Sequence, residues 1–252
     1  MKVLKKININ IFILFMVVII SLVYSGKVEN TIASEGKKLP IYRVLTEEKK
    51  VALTFDVNWA ENEYIYDILD VLNENNAKAT FFIMGGWVNY SDENREKLMK
   101  INEGGHSIGN HSYIHPSFTK ISHERMADEI KKTEDIVYAA TGNEIKLFRF
   151  PSGDYNEDAL EYVRSLGYEC IQWDVDSIDY KESGAEVEFN RVIKNIKPGS
   201  IVLFHNNAKY TPENLKKIIT NLTDEGYEFV TVNQLIYDSN YYIDEKGEQI
   251  QK

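Results

Sequence analysis

The chain has 252 residues, 43% hydrophobic and 27% charged, the composition of a globular protein long enough for one sizeable core. A net charge of -10, with no dense run of Lys or Arg, argues against a nucleic-acid partner and leaves the substrate open. The single cysteine, Cys170, excludes an intramolecular disulfide, and within YECIQW it reads as a buried strand thiol rather than a nucleophile.

The N-terminus is a separate object. Lys2, Lys5 and Lys6 precede the apolar run IFILFMVVIISLVY at 11–24, which fits a secretory signal over 1–25 with Ser25 and Gly26 as small residues for cleavage. Counted back to Ile7, the stretch reaches 18 residues, near the lower limit for spanning a bilayer, so an uncleaved membrane anchor stays open. Both readings export the remainder, either to the cell wall or to the outer face of the cytoplasmic membrane. Residues 26–45 are polar and read as a linker. Residues 46–238 read as one domain, and 239–252 as a polar tail expected to be loose.

Strands and helices alternate from there. KVALTFD at 50–56 is a β-branched apolar strand, and ENEYIYDILDVLNENN carries Ile65, Ile68, Leu69 and Leu72 at helical spacing. KATFFIM at 78–84 is a strand, DENREKLMKINEGG a helix ending at Gly104 and Gly105, and HSIGN a short third strand. The next helix is bracketed by Ser122 as N-cap and Gly142 as stop. KLFRF (146–150), the helix EDALEYVRSLG, the strand YECIQWDVD (168–176) and the helix AEVEFNRVIKNI follow. Pro198-Gly199 turns the chain into the strand SIVLFH (200–205); a helix from Pro212 to Glu225, the strand YEFVTV and a short helix near Gln234 complete the series.

Seven strands alternating with helices predict an α/β fold with a parallel sheet, either a barrel or a doubly wound sheet. Asp56, Arg149, Asp176 and His205 each fall at the C-terminal end of a predicted strand, and His111 and His115 follow the short third one. That clustering favours an irregular (β/α) barrel of about seven strands, whose C-terminal face collects catalytic groups. No glycine-rich phosphate fingerprint follows the first strand, which weakens a nucleotide-binding reading.

Three of the five histidines lie within GGHSIGNHSYIHP, residues 104–116. His111 and His115 are spaced so that one helical turn or a tight loop brings both imidazoles to one point, as a metal site requires. His106 begins a strand and reads as structural; His123 falls in the first turn of a helix and reads as a surface group.

Five segments, TFDVNW, HSYIH, RFPSGDYN, DVDSID and VLFH, resemble in order and spacing the polysaccharide deacetylases of carbohydrate esterase family 4, the NodB-homology domain. The resemblance runs from about Lys49 to Leu235 and is closest to the sporulation-associated branch. It implies a distorted (β/α) barrel that hydrolyses N-acetyl, sometimes O-acetyl, groups on sugars. By that resemblance Asp56 is the general base and Arg149 holds it, while His111 and His115 bind a divalent metal. His205 is the general acid and Asp176 orients it. Asp179 reads equally as a second support for this region and as a solvated loop carboxylate. Ser152 offers a backbone N–H to the oxyanion, and Leu203 lines the acetyl pocket. Asp154 and Tyr155 form a turn, and Trp59, Trp87, Tyr113 and Tyr180 are sugar-stacking candidates.

One position departs from the pattern. The family carries a second aspartate after the base as third metal ligand, and here that residue is Val57. Asn58, Asp56 itself or water are the candidate replacements. One divalent ion is therefore expected to bind weakly, zinc first, with cobalt, manganese and nickel open. The implied substrate is an N-acetylated cell-wall glycan, peptidoglycan and more narrowly spore cortex, with chitin-type oligomers and acetylated xylan open. The competing reading is a weakened relative that binds glycan without hydrolysing it. No protein partner is implied.

Overall fold

A computed structural model describes residues 38–252. The signal or anchor at 1–25 and linker residues 26–37 lie outside the described residues. No helix among those described is long and apolar enough to cross a membrane.

The central strand is β2 (Lys50–Val57), followed by helix α1 (Ile65–Glu74) and strand β3 (Ala79–Ile83). Next come α2 (Gly85–Val88), α3 (Asp92–Glu103), β4 (Ser107–Asn110) and α4 (His123–Thr141). Then follow β5 (Leu147–Phe148), α5 (Glu157–Ser165), β6 (Glu169–Cys170), β7 (Val175–Asp176) and α6 (Ala185–Asn195). The series ends with β8 (Ile201–His205), α7 (Thr211–Asp224), β9 (Glu228–Phe229) and α8 (Val232–Leu235). The strands pair in parallel in the order β6-β5-β4-β3-β2-β8-β7, with β9 alongside the start of β2. The sheet curls with helices around it, the irregular barrel expected from the alternation.

The expected caps are in place. Ser122 Oγ accepts from the Arg125 N–H, and Gly142 ends α4 in the left-handed conformation at φ 74°. The strand expected over 168–176 is instead two, β6 and β7. The chain leaves the sheet between them, where Asp174 accepts hydrogen bonds from Ser200 Oγ and the Ile201 N–H, both at 2.9 Å.

Period-two alternation divides the barrel into two environments. Val51, Leu53, Phe55 and Val57 face the helices, in a cluster where Phe55 stacks on Phe81 and Phe204 with centroids 4.9 and 5.6 Å apart. Ala52, Phe82, Leu147, Ile171 and Ile201 form a separate cluster filling the barrel's lower interior. A Cβ on Gly109 would lie 2.5 Å from Phe82 Cδ1, so glycine is required beside that ring. Above this apolar floor the inward positions turn polar: Thr54, Asp56, Arg149 and His205.

The segment expected to be linker closes the barrel. Ile41 bridges Ile171 and Arg43 bridges Ser200, across the gap between β6 and β8. Arg43–Val44 forms β1, which pairs with β11 (Glu248–Gln251), itself antiparallel to β10 (Tyr241–Ile243). The tail expected to be loose is thus a second small sheet. Asp244 Oδ1 accepts from the N–H groups of Lys246 and Glu248, and Gly247 turns at φ 80°.

Candidate active site

Asp56 and His205 are register partners on the adjacent strands β2 and β8, so both rise from the same level of the C-terminal mouth. Arg149 follows β5 and is fully buried. Its guanidinium donates to Asp56 Oδ1 at 2.8 Å, Thr54 Oγ1 at 2.9 Å and the Gln172 carbonyl at 3.0 Å, and lies 4.0 Å from the Phe82 ring centroid. Four partners leave it one position. Burial acts to raise the Asp56 carboxyl, but His111, Arg149 and His205 hold it below the ordinary carboxylate range. Of these, Arg149 is the one whose charge is independent of pH, so Asp56 stays ionised.

His111 and His115 sit on the loop after β4, with ring centroids 4.9 Å apart. Two residues of this loop, Ser112 (φ 66°) and His115 (φ 62°), adopt left-handed backbone. Glu129, fully buried on α4, fixes the loop: its Oε2 accepts from the Tyr113 and Ile114 N–H groups, each at 2.8 Å, and Arg125 Nε donates to its Oε1 at 3.0 Å. Sequence reasoning passed over Glu129. Its signal was a carboxylate on the apolar α4 stripe of Met126, Ile130, Thr133 and Val137. The Arg149 carbonyl, 2.9 Å from His111 Nδ1, requires the proton there and leaves the Nε2 lone pair free. Burial pushes His111 down to about 4, so it is neutral at physiological pH.

Whether these residues fit a divalent ion can be tested on the donors. His111 Nε2 is buried with no hydrogen-bond partner, 3.5 Å from Asp56 Oδ2, and His115 stands beside it. The third donor is missing, because Val57 faces the helices within the outer apolar cluster, on the opposite strand face from Asp56. Asn58, the candidate replacement, has its backbone engaged. Its N–H donates to Asn206 Oδ1 at 3.1 Å and its carbonyl accepts from Asn206 Nδ2 at 3.0 Å, although its own Oδ1 is buried and unpartnered. Among the described residues no group of three His, Cys, Asp or Glu side chains is disposed to hold an ion. The residues fit two ligands of a metal centre and not a complete one.

His205 is held by Asp179, not by Asp176 as expected. Asp179 Oδ1 lies 2.7 Å from His205 Nδ1, while Oδ2 accepts from the His205 N–H and from Thr211 Oγ1, both at 2.8 Å. Ile178, left-handed at φ 54°, turns the chain so that Asp179 comes back under β8, whereas Asp176 Oδ1 accepts from the Ile178 N–H of its own turn. Burial opposes a charge on His205, but the hydrogen bond and charge of Asp179, with Asp56 and Asp176 more remote, raise it above the ordinary imidazole range.

The remaining expected residues divide between site and scaffold. Leu203 is buried on the same face of β8 as His205 and two positions below it. Ser152 tops the 3-10 turn Pro151–Gly153 in left-handed backbone, φ 56°. Trp59 is 45% and Tyr180 54% exposed, and the Tyr180 ring meets His205 edge-on at 5.5 Å. Tyr113 lies on the histidine loop under Lys132. Trp87 is buried in the core and is no stacking surface. Asp154 serves the turn, accepting from Ser117 Oγ and Thr119 Oγ1. His106 is buried and neutral, pushed down to about 4, and accepts from the Ala79 N–H. His123 pairs with Asp158 at the surface. The Cys170 thiol is buried and pushed up to about 12, as expected of an inert strand residue.

A sequence profile for polysaccharide deacetylases matches residues 43–171. The chain is 34% identical over 197 residues to the Bacillus subtilis peptidoglycan-N-acetylmuramic acid deacetylase PdaA, covering 77% of this chain and 73% of that protein. It is equally identical over 197 residues to the uncharacterized B. subtilis protein YlxY, covering 78% of this chain and 60% of YlxY. Among solved structures, Bacillus anthracis BA3943, described as a CE4 family pseudoenzyme, superposes with TM-score 0.73 at 34% identity, covering 85% of this chain and 70% of that one. A mutant of BA3943 is described as having restored enzymatic activity.

Proposed function

The chain belongs to the polysaccharide deacetylase family, carbohydrate esterase family 4, and from that premise we propose that it removes N-acetyl groups from amino sugars of cell-wall peptidoglycan. The observation that carries this reading is the pairing of a base and an acid across one register position: Asp56 ionised by Arg149, His205 charged by Asp179. Asp56 takes the proton from the attacking water. The Ser152 turn offers the backbone donor for the oxyanion, charge that exists only in the transition state. His205 then delivers its proton to the departing amine, which could not otherwise leave. Trp59 and Tyr180 give the flanking sugars apolar faces to rest on. The basic and apolar N-terminus supports delivery of this domain beyond the cytoplasmic membrane.

Val57 favours a second reading: a relative that binds the glycan and does not turn it over, because two imidazoles alone hold a divalent ion weakly. Acetate release from N-acetylated peptidoglycan fragments, with and without added zinc, cobalt, manganese or nickel, separates the two. A deacetylase releases acetate, and Asp56→Asn and His205→Ala each lower the rate by roughly 10²–10⁴-fold with glycan binding retained. A protein that binds the fragments under every metal and releases nothing is the glycan binder.

A further inference from the structure

Behind the Asp179–His205 pair, the seam between α6 and α7 buries a second carboxyl that the reaction does not use. Glu188 is 3% exposed and Asn214 1%. Asn214 Nδ2 donates to Glu188 Oε2 at 3.1 Å, and the two remaining oxygens, Glu188 Oε1 and Asn214 Oδ1, are both buried without a partner. Two orphaned acceptors on one facing pair are costly, because each has given up its hydration with nothing in return. Both lack the same thing, a donor. A proton on Oε1 supplies it and satisfies the pair at once.

We propose that Glu188 is a positioning residue, a neutral carboxylic acid closing a two-hydrogen-bond ring with the Asn214 carboxamide, which leaves Asp179 as the one anion in contact with His205. The placement makes the link physical. Asn214 lies one helical turn beyond Thr211, whose hydroxyl donates to Asp179 Oδ2 at 2.8 Å. The ring therefore sets the height of α7 against α6, and with it the Thr211 hydroxyl that fixes Asp179. An ionised Glu188 would face Asn214 Oδ1 oxygen to oxygen, loosen that seam and add a charge behind Asp179.

The groups around it agree. Burial, then the charges of Asp179 and Glu182 from the turn before α6, push Glu188 up to about 7 against the lowering hydrogen bond from Asn214. On α6, Arg191 is engaged with the Asp176 carbonyl at 2.7 Å. On α7, Lys217 pairs with Glu213 and Lys216 with Glu74, all at the surface. From β8, His205 meets the seam through Asp179.

This inference rests on reading His205 as the acid, but its test needs no turnover. The full chain is compared with Glu188→Gln, which mimics the neutral acid, in the absence of glycan. Infrared titration of the unmutated protein should show one carboxyl carbonyl band that survives to about neutral pH and is absent from E188Q. Below about pH 6, where Glu188 holds its proton, the His205 imidazole resonances followed by NMR should coincide in E188Q and the unmutated protein, since no anion was removed. A lower charged fraction of His205 in E188Q at that pH would mean that Glu188 is ionised there, and would overturn the proposal. A proton that Glu188 keeps in the folded state and loses in the unfolded one weakens the fold as pH rises, so the Tm of E188Q should gain on the unmutated protein between about pH 5 and about pH 7 and then level off. A flat difference across that range also overturns the proposal. Should E188Q fail to fold, the carbonyl band of the unmutated protein decides: its loss together with the ordinary carboxyls refutes the ring.

Discussion

Three hydrogen bonds end on the Asp179 carboxylate, two from His205 and one from Thr211, and they carry a testable division of labour. Asp179→Asn should lower the His205 pKa by about 1–3 units, because an adjacent opposite charge accounts for shifts of that size. His205 acts when protonated, so the limb on which activity falls with rising pH should move to lower pH. The same raised pKa means that the ion pair stabilises the fold fully below the unfolded imidazole value of about 6.5 and ceases to do so as pH rises through the folded value. Asp176→Asn, which removes only a more distant charge, should move His205 by less than about 0.5 unit. Equal shifts for the two variants, read by NMR titration, would return the role to Asp176. Asp56, Arg149 and His205 were legible in the sequence because each falls at the C-terminal end of a strand that the pattern predicts. Choosing between Asp176 and Asp179 needed the left-handed turn at Ile178, and a β-branched residue gives no hint of that conformation.

At the scale of the element, β2 explains both what the site has and what it lacks. Alternation sends Thr54 and Asp56 into the barrel mouth, and sends Phe55 and Val57 among the helices. Val57 is the last residue of the strand, with the Met84 N–H donating to its carbonyl at 3.2 Å, and the chain turns immediately beyond it. Val57→Asp should therefore cost about 2–4 kcal/mol without metal, as a carboxylate is forced among apolar side chains. Added zinc should restore the loss by drawing that carboxylate toward His111 and His115, with affinity by calorimetry at least about tenfold above the unmutated protein. Unchanged affinity, with the lower stability persisting in zinc, would show that the strand end cannot rotate and that the two histidines serve without a third ligand. Strand and helix order was readable from periodicity, while α2 was not. Its Gly85 and Gly86 carry no helical signal and are set by packing: a Cβ on Gly85 would lie 2.5 Å from Thr133 Oγ1, and one on Gly86 2.6 Å from the Tyr113 carbonyl oxygen.

Across the whole molecule, the barrel is shut by the two ends of the described chain rather than by the sheet. Residues 239–252 are polar, and polarity alone reads as a loose tail. What orders them is long-range and invisible to local pattern. Arg43 Nη1 donates to Glu248 Oε1 at 2.6 Å, and the buried Gln249 carboxamide makes two 2.9 Å hydrogen bonds with the Tyr237 backbone. Tyr241 Oη donates to the Glu169 carboxylate at 3.1 Å, tying the tail to the strand next to the gap. β1 in turn holds Ile41 and Arg43 across that gap, so the tail braces the closure through one intermediate strand. Ending the chain at Ser239 should strip Arg43 of its closest carboxylate and expose Val44, with a cost of about 2–5 kcal/mol, the range for breaking a buried ion pair together with several hydrogen bonds. The loss should be local before it is global. In hydrogen exchange, the Ile41 and Val44 N–H groups, bonded at 2.9 and 3.0 Å to the carbonyls of Cys170 and Gly199, should lose protection while those of β2 and β8 keep theirs. An unchanged denaturation midpoint with Ile41 still protected would mean that the segment around Ile41 closes the barrel unaided, and that the terminal sheet is an ornament on a barrel already shut.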